Sequence, residues 1–260
     1  MSLRERVAIV TGGTRGIGLA ISLGFAKEGA TVVIADIDPA QSLIESKFRQ
    51  LETRFMVEKT DVSEESLVNS LIAKVIAEFG RIDILVNNAG LMMRAFGYPE
   101  EGCPVSEIRT ETWDRIINVN LRGPFLCSRA TLPHMTRVGH GSIINISSGA
   151  GKEGRAGRGP YVASKFALEG LTQVLSKEVK EMNIAVNALN PGAIVLTSLV
   201  KTESLIPSQR KKLLKPEVAV PAAIFLALQD GHGITGQSLS ALEWNQEHGL
   251  GGIDSWKAQS

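Results

Sequence analysis

Short apolar runs alternate along the chain with longer segments in which apolar residues recur at helical spacing. Uninterrupted runs of Val, Ile and Leu are typical of parallel strands that are covered on both faces. Strands are predicted at residues 7–10, 31–35, 54–59, 82–86, 142–146 and 185–189, with a seventh after Gly236. Helices are predicted over residues 16–28, 63–79, 111–135 and 161–182. Ser63, which two glutamates follow, is expected to cap the second of these helices.

This alternation predicts an α/β fold, a doubly wound parallel sheet of the Rossmann type with about seven strands and helices on both faces. The sequence has no internal repeat and no interdomain linker, so we expect one domain over residues 1–260. Such sheets bind their ligands at the carboxyl ends of the strands. Two irregular segments, residues 91–109 and 197–215, are therefore expected at the rim of a ligand crevice, the second as a substrate lid.

Composition narrows the class of protein further. The chain is 43% hydrophobic with a formal net charge of +1, and it lacks the clustered basic excess of a nucleic-acid-binding protein. Its start lacks a signal-peptide layout, and its apolar runs are too short to span a bilayer. We expect a cytoplasmic protein with no nucleic-acid or membrane partner. The two cysteines are expected to be reduced, and the four histidines lack metal-like spacing, so no metal is predicted.

A glycine-rich turn follows the first predicted strand. Gly12, Gly16 and Gly18 let the backbone turn sharply and approach a pyrophosphate without an intervening Cβ. The helix that begins there offers free N–H groups and a partial positive charge to the phosphates. A glycine turn between a buried strand and a helix predicts dinucleotide binding.

Asp36 at the end of the second predicted strand bears on the choice of dinucleotide. A carboxylate there can accept both ribose hydroxyls of NAD and would repel the 2′-phosphate of NADP. Arg15 argues the other way, because its guanidinium could reach such a phosphate. We expect NAD to be preferred and keep NADP as the alternative, since the charge of Asp36 would lie close to the 2′ position. Asp36 could also be a simple strand-end turn residue.

Tyr161 and Lys165 are four residues apart and share one face of a predicted helix. A tyrosine normally titrates near pH 10. An adjacent ammonium favours the phenolate and lowers that pKa. The phenol could then act as a general acid in reduction or a general base in oxidation. This spacing is common by chance and gains weight only from its context.

That context resembles the short-chain dehydrogenases/reductases, in their single-domain branch. Ser148 precedes Tyr161 by 161 − 148 = 13 residues, as the catalytic serine of that family does. The other matching motifs, in order from about residue 7 to 240, are Thr11-Gly12-x-x-x-Gly16-x-Gly18, Asp61-Val62, Asn87-Asn88-Ala89-Gly90, Asn120, Tyr161-x-x-x-Lys165, Asn190-Pro191-Gly192-Ala193-Ile194 and Ile234-Thr235-Gly236-Gln237.

The resemblance implies a role for each matching position. Among the catalytic residues, Ser148 would hydrogen-bond the substrate oxygen and Tyr161 would transfer the proton. Lys165 would lower the pKa of the tyrosine and hold the nicotinamide ribose, and Asn120 would anchor a water that relays protons. The implied cofactor-binding residues are Gly12, Thr14, Arg15, Gly16, Ile17, Gly18, Asp36, Asp61, Val62, Asn88, Ala89, Gly90, Tyr161, Lys165, Pro191, Gly192, Ile194 and Thr197. Leu196 competes with Thr197 for contact with the carboxamide.

The implied activity is transfer of a hydride between NAD(P) and a secondary alcohol or ketone. Polyols, sugar acids or cyclic alcohols form the favoured class of small-molecule substrate, and 3-oxoacyl thioesters on a carrier protein are the alternative. A non-catalytic dinucleotide-binding sensor or scaffold is an alternative of another class. It should lack part of the catalytic set, whereas this chain keeps all four residues.

Three features depart from the family pattern. The 91–109 segment lies within a stretch about eight residues longer than usual, and it forms either a substrate-binding lip or a surface excursion. The basic residues of the lid either favour an anionic substrate or form a solvated helix face. The tail, residues 241–260, is atypical, and Trp244 and Trp256 are expected to pack against a neighbouring subunit. The resemblance implies a homotetramer in which helices 111–135 and 161–182 pair across one interface.

Overall fold

A seven-stranded parallel sheet forms the centre of the protein. The computed structural model describes residues 2–39, 41–99, 102–197 and 213–258. The strands are β1 (Val7–Thr11), β2 (Thr31–Asp36), β3 (Phe55–Lys59), β4 (Ile84–Asn87), β5 (Gly141–Ile146), β6 (Ile184–Asn190) and β7 (Ser238–Ser240). Their order is β3-β2-β1-β4-β5-β6-β7, and every neighbouring pair is parallel. The predicted doubly wound sheet is confirmed.

Helices cover both faces of this sheet. They are α1 (Gly16–Lys27), α2 (Gln41–Arg49), α3 (Glu65–Phe79), α4 (Thr110–Ile117), α5 (Gly123–Val138), α6 (Gly159–Val179), α7 (Val220–Ala227) and α8 (Ala241–Glu247). Side chains of α1, α2, α7 and α8 pack on one face, and side chains of α3, α5 and α6 pack on the other. Ile9 and Val10 are neighbours on β1, and each is fully buried in a different one of these two cores. Burial on both faces explains why the strands read as continuous apolar runs.

The predicted helix over residues 63–79 begins later than expected. It starts at Glu65, and the residue at its N-cap position, Glu64, makes no side-chain capping bond. The hydroxyl of Ser63 instead donates to Asp61 Oδ1 at 2.6 Å, as does its backbone N–H at 2.9 Å. The expectation that Ser63 caps this helix is therefore wrong, because the nearby carboxylate of Asp61 takes its hydroxyl.

A buried carboxylate ties three strands together at their amino ends. Asp83 accepts the backbone N–H of Val7 at 2.8 Å, and Arg81 donates to both of its oxygens. His140 Nε2 lies 3.2 Å from Asp83 Oδ1 and within hydrogen-bond distance of Arg81 and Arg6. This cluster lies at the edge opposite the predicted ligand crevice, so its role is to hold the sheet.

His140 should make the free energy of unfolding depend on pH. Burial, with the charges of Arg6 and Arg81, holds its pKa below the ordinary 6.5, although Asp83 and Asp230 act to raise it. Below pH 6.5 the unfolded chain therefore binds more protons than the folded chain, and stability falls as the pH falls. Urea unfolding measures the free energy of unfolding at pH 7.5 and at pH 5.5. The decrease in this free energy between the two pH values should be smaller for His140→Gln than for the parent. Equal losses would contradict this reading of His140.

The tail packs against its own chain. Trp244 contacts Phe225 at 5.2 Å between ring centroids and stacks on His248 at 3.9 Å. Trp256 packs in a cluster with Val195, Leu214 and Val218. In the monomer both tryptophans therefore have partners of their own, so contact with a neighbouring subunit is not needed to account for them.

Part of the tail also joins a short backbone ladder. The N–H of Leu214 donates to Ile194 O at 2.8 Å, and the N–H of Leu196 donates back to Leu214 O at 2.7 Å. On the other side, the N–H of Lys215 donates to Trp256 O, and the N–H of Ala258 donates to Leu213 O. Residues 213–215 thus lie between residues 194–196 and residues 256–258.

The sequence also led to expectations about membrane-spanning helices, metal-binding groups and cysteine thiols. No helix within the described residues is both long and apolar enough to cross a membrane. The described ranges contain no group of three or more His, Cys, Asp or Glu side chains arranged to hold a metal ion. Cys103 and Cys127 are free and buried, and burial raises the pKa of Cys127 to about 12, which makes it unreactive.

Candidate active site

The glycine turn, residues 11–18, connects β1 to α1 at the carboxyl edge of the sheet. Gly12 has a φ of +63°, and a Cβ added there would lie 2.9 Å from Ala89 Cα. A Cβ at Gly18 would lie 2.2 Å from the carbonyl oxygen of Gly12. Gly16, with a φ of +54°, lies against the methyl group of Thr197. Glycine is therefore required for the backbone to pass this closely.

Asp36 is buried beneath this turn. The backbone N–H and the hydroxyl of Thr14 donate to its Oδ2 at 3.2 and 2.6 Å. Arg15 lies 3.7 Å from the other carboxylate oxygen, and the N–H of Asp38 donates to that oxygen. Asp36 therefore has a structural role as the anchor of the turn, and Arg15 already pairs with it.

The Asn-Asn-Ala-Gly motif, residues 87–90, closes the turn from the side of β4. The amide of Asn88 donates to the carbonyl oxygens of Thr11 and Gly12 at 2.9 and 3.0 Å. The hydroxyl of Thr11 accepts the N–H groups of Asn88 and Ala89 in return. Asn87 is buried and bonds Ser128 and Asn145 instead. The motif thus joins two neighbouring strand ends at the point where the strand order reverses.

Asp61 and Val62 follow β3 at the same edge. The guanidinium of Arg115 donates to Asp61 Oδ2 at 2.7 Å. Burial acts to raise the pKa of Asp61, but the hydrogen bonds from Ser63 and Arg115 hold it below its usual value. Val62 is buried against the start of α5, where a Cβ on Gly123 would meet it. Of these two neighbours, only Asp61 keeps part of its side chain exposed.

Tyr161 and Ser148 meet above the carboxyl end of β5. Ser148 accepts the N–H of Ala150 at 3.2 Å and thereby caps the short turn Gly149–Gly151. Burial raises the pKa of Tyr161, while its contact with Ser148 and the charges of Arg158 and Arg155 act to lower it. The expectation that the pKa of the phenol is lowered is therefore wrong for the protein alone, because burial outweighs these groups.

Lys165 lies one helical turn from Tyr161 but points its amine at the backbone. Its Nζ donates to Ile146 O at 2.7 Å and lies 5.8 Å from the centroid of the Tyr161 ring. Burial lowers the pKa of Lys165 to about 8, and the charge of Glu169 acts to raise it. Because its amine is directed at Ile146 O, Lys165 is not among the groups that lower the pKa of Tyr161 here.

Glu169 was not anticipated from the sequence. It accepts the hydroxyl of Ser147 and, at 3.0 Å, the hydroxyl of Ser238. Its position four residues after Lys165 places it on the same helix face, and this spacing is the signal that could have revealed it. Glu169 therefore connects the residue beside Ser148 with the helix that carries Lys165.

Asn120 lies in a π-helical turn, Asn118–Arg122, that interrupts the predicted 111–135 helix between α4 and α5. Its Oδ1 accepts the N–H of Leu91 at 2.7 Å, and its amide donates to Leu91 O and Ser164 Oγ. These three bonds occupy the side chain, which is buried beneath the catalytic helix. The predicted water-anchoring role of Asn120 stays a prediction.

The loop after β6 reaches back to the glycine turn. Gly192 has a φ of +91°, its N–H donates to Asn190 Oδ1, and Pro191 precedes it. Ile194 belongs to the backbone ladder with Leu214. Ile17, in the glycine turn, packs against the same hydrophobic cluster as Trp256. Thr197, rather than Leu196, lies at the glycine turn, and this position favours Thr197 as the cofactor contact. The rest of the predicted lid, residues 198–212, lies outside the described residues.

The 91–109 segment forms the opposite wall of the site. Met93 and Cys103 pack with Ile116 in a small core of their own. The N–H of Cys103 donates to Gly157 O at 3.0 Å, which fastens the segment to the start of the catalytic helix. The described part of the segment thus packs against the start of the catalytic helix, and its role as a substrate-binding lip stays a prediction.

Known proteins share the sequence pattern that builds this site. A family model described as short chain dehydrogenase matches residues 6–205. The chain belongs to the short-chain dehydrogenases. The protein is thus an oxidoreductase that acts on alcohol or ketone groups, as its named dehydrogenase and reductase relatives do.

Three relatives of this short-chain dehydrogenase are named for different activities. A 3-oxoacyl-[acyl-carrier-protein] reductase of Thermotoga maritima is 35% identical over 91% of this chain and 96% of its own. A cis-4-hydroxycyclohexanecarboxylate dehydrogenase of Sinomonas cyclohexanicum is 33% identical over 91% and 94%. A provisionally assigned NAD(P)-dependent gluconate 5-dehydrogenase of Beutenbergia cavernae, with NADP bound at low occupancy, has a solved structure with TM-score 0.81 and 29% identity over 92% and 96%.

The site of this short-chain dehydrogenase fits the dinucleotide that its family binds. A side chain at Gly12 or Gly18 would fill the turn, so the turn presents bare backbone at the start of α1. Such a start attracts phosphate through free N–H groups and the helix dipole. The chain therefore binds NAD(P).

Proposed function

We propose that this short-chain dehydrogenase interconverts a secondary alcohol and a ketone, with NAD preferred over NADP. The observation that carries the proposal is the meeting of Ser148 and Tyr161 beside the glycine turn, with Lys165 one helical turn away. A bound nicotinamide would supply the hydride, and the protein orients it. The favoured substrates are polyols, sugar acids or cyclic alcohols.

The protein's own residues manage the proton. The raised pKa of Tyr161 keeps the phenol protonated at neutral pH, so it can donate to a ketone oxygen during reduction. Ser148 presents its hydroxyl beside the phenol and would stabilise negative charge that develops on that oxygen. Lys165, buried between β5 and the phenol ring, would bind the nicotinamide ribose. Asn120 supports the floor of the site through Leu91 and Ser164.

The NAD preference rests on the charge of Asp36. Its buried carboxylate would repel a 2′-phosphate, and its pairing with Arg15 holds back the guanidinium that could attract one. The expected result is a lower Kd for NADH than for NADPH in fluorescence titrations. Asp36→Asn keeps an acceptor for Thr14 but removes the charge. It should therefore reduce the difference between the Kd values for NADH and NADPH. Tighter NADPH binding by the parent would contradict the preference.

The reaction itself is tested by absorbance at 340 nm with both cofactors. A panel of cyclic ketones, keto sugar acids and acetoacetyl-CoA separates the favoured substrate class from the 3-oxoacyl thioester alternative. That alternative has support of its own in the likeness to the Thermotoga maritima reductase. Binding of neither cofactor would overturn the proposed function.

Assembly and location are also proposals. Exposed apolar side chains lie on α4, α5 and α6: Trp113, Phe125, Phe166 and Val174. Such side chains on these helices support the homotetramer implied by the family resemblance. We also propose a cytoplasmic location. The proposed domain organisation is a single domain over residues 1–260, with a lid near residues 197–215 and an atypical tail over residues 241–260.

A further inference from the structure

One carboxylate oxygen on α6 joins the residue after β5 to the first residue of β7. Oε1 of Glu169 accepts the hydroxyl of Ser147, and the same atom accepts the hydroxyl of Ser238 at 3.0 Å. Ser147 is only 3% exposed, whereas Glu169 and Ser238 are half-buried. Because β6 lies between β5 and β7 in the sheet, this single side chain spans three strands. The proton transfer assigned above does not use it.

Side chains of α6 hold the end of β5 at two successive residues. The Nζ of Lys165 donates to Ile146 O at 2.7 Å. One helical turn later, Glu169 accepts the hydroxyl of the next residue, Ser147. Positions four apart share one helix face, so the two side chains reach the strand end together. Ser148 follows at once along the chain, and the position of its hydroxyl therefore depends on this strand end.

The turn Gly149–Gly151, which Ser148 caps, packs onto the same contact. A Cβ added to Gly151 would lie 3.0 Å from Ser147 Oγ and 3.1 Å from Cγ of Glu169. The space around the Ser147 hydroxyl is therefore filled by protein atoms. A buried hydroxyl that loses its acceptor must move to find another or remain unpaired, and either result disturbs the strand end.

We propose that Glu169 is a positioning residue of the reaction, which holds the end of β5 through Ser147 so that the Ser148 hydroxyl stays beside the phenol of Tyr161. This inference rests on the proposed function and adds a residue to its machinery. Glu169 acts through its neighbours and is not itself assigned to the substrate or the cofactor. Its contribution is geometric, because a misplacement of about 1 Å at a reacting group can lower the rate on the order of 10²-fold.

Two substitutions of similar length test this role. Glu169→Gln keeps an oxygen that can accept both hydroxyls, whereas Glu169→Met fills the space without such an acceptor. With saturating NADH and the ketone of the 340 nm panel that is reduced fastest, kcat should fall about tenfold or more in Glu169→Met and stay within about threefold of the parent in Glu169→Gln. KM for the ketone and the Kd for NADH should stay near the parent values, because Ser148 is assigned to charge that develops during the reaction. Equal kcat values for the two variants would overturn the proposal.

A double-mutant cycle shows whether Glu169 acts through Ser147. Ser147→Ala frees the strand end from Glu169 and should lower kcat by itself, so this variant carries the test if Glu169→Met does not fold. Glu169→Met should then lower kcat far less in the Ser147→Ala background than in the parent. The same decrease in both backgrounds indicates a merely structural side chain and contradicts the proposal, as does a parent-like kcat in Ser147→Ala. Glu178→Met changes an exposed glutamate of the same helix and should leave kcat unchanged.

Hydrogen exchange separates failure of this inference from failure of the proposed function, because it needs no substrate. The N–H groups of Ala150 and Gly151 donate to Ser148 Oγ and Ser148 O, so peptides that contain residues 147–151 report how firmly this turn is held. Exchange there should be faster in Glu169→Met than in the parent and in Glu169→Gln. If no ketone is reduced, the proposed function fails, and faster exchange still supports Glu169 as the residue that holds Ser148. Equal exchange in all three proteins overturns the inference, whether or not a ketone is reduced.

Discussion

Tyr161→Phe should lower kcat by a factor on the order of 10² to 10⁴, the usual contribution of a positioned general acid or base. The substitution keeps the ring and its packing and removes only the hydroxyl beside Ser148. The Kd for NADH should change little, because the phenol is assigned to the proton and the glycine turn to the cofactor. Steady-state rates and fluorescence titration measure the two effects separately.

The chain offers a matched control for this experiment. Tyr98 is the only other tyrosine, and its hydroxyl accepts the N–H of Arg109 at 2.9 Å within the 91–109 segment. Tyr98→Phe removes the same atom from a hydroxyl that contacts Arg109 and not Ser148, so it should leave kcat within about twofold of the parent. Turnover by Tyr161→Phe at the level of this control would remove Tyr161 from its assigned role.

Gly18→Ala should weaken NADH binding by about tenfold or more, equivalent to about 1.4 kcal/mol. The added Cβ would lie 2.2 Å from Gly12 O and 2.4 Å from Asn88 Nδ2. Neither neighbour can give way freely, because Asn88 donates to the backbone of the turn and Gly12 is held at positive φ. The turn must open, and the N–H groups that would bind a pyrophosphate then move out of position.

Gly170→Ala is the control for that substitution. Gly170 lies within α6, and a Cβ there meets no atom within 4 Å. Alanine at this position should leave the Kd for NADH unchanged, because Gly170 lies on α6 and not in the glycine turn. Thermal unfolding and NADH titration of both variants decide the matter. An unchanged Kd in Gly18→Ala would show that the turn does not hold the cofactor.

The sequence predicted the central sheet well because its strands are buried on both faces. The helices that it missed are short. α2, α7 and α8 have nine, eight and seven residues, whereas helical periodicity is read over a window of roughly 11–18 residues. In addition, α7 is apolar nearly all round and so lacks two contrasting faces.

Within the site, motif spacing predicted which residues would come together, since strand ends meet at one edge of a parallel sheet. Spacing could not show how deeply each side chain is buried. The sign of the pKa shift of Tyr161 was therefore wrong, and the direction of the Lys165 amine was missed. Arg155 and Arg158 lie in an irregular stretch where no periodicity predicts what they face.

The ladder of residues 194–196, 213–215 and 256–258 has a consequence for how such an enzyme can diversify. The chain enters the segment 198–212 beside the place where it leaves it, because residues 213–215 bond to residues 194–196, and the tail bonds residues 213–215 from the other side. Lengthening a loop with fixed ends adds only about 0.6 kcal/mol for each doubling. Different sequences can therefore be exchanged between residues 197 and 213 while the cofactor turn and the proton-transfer residues keep their positions.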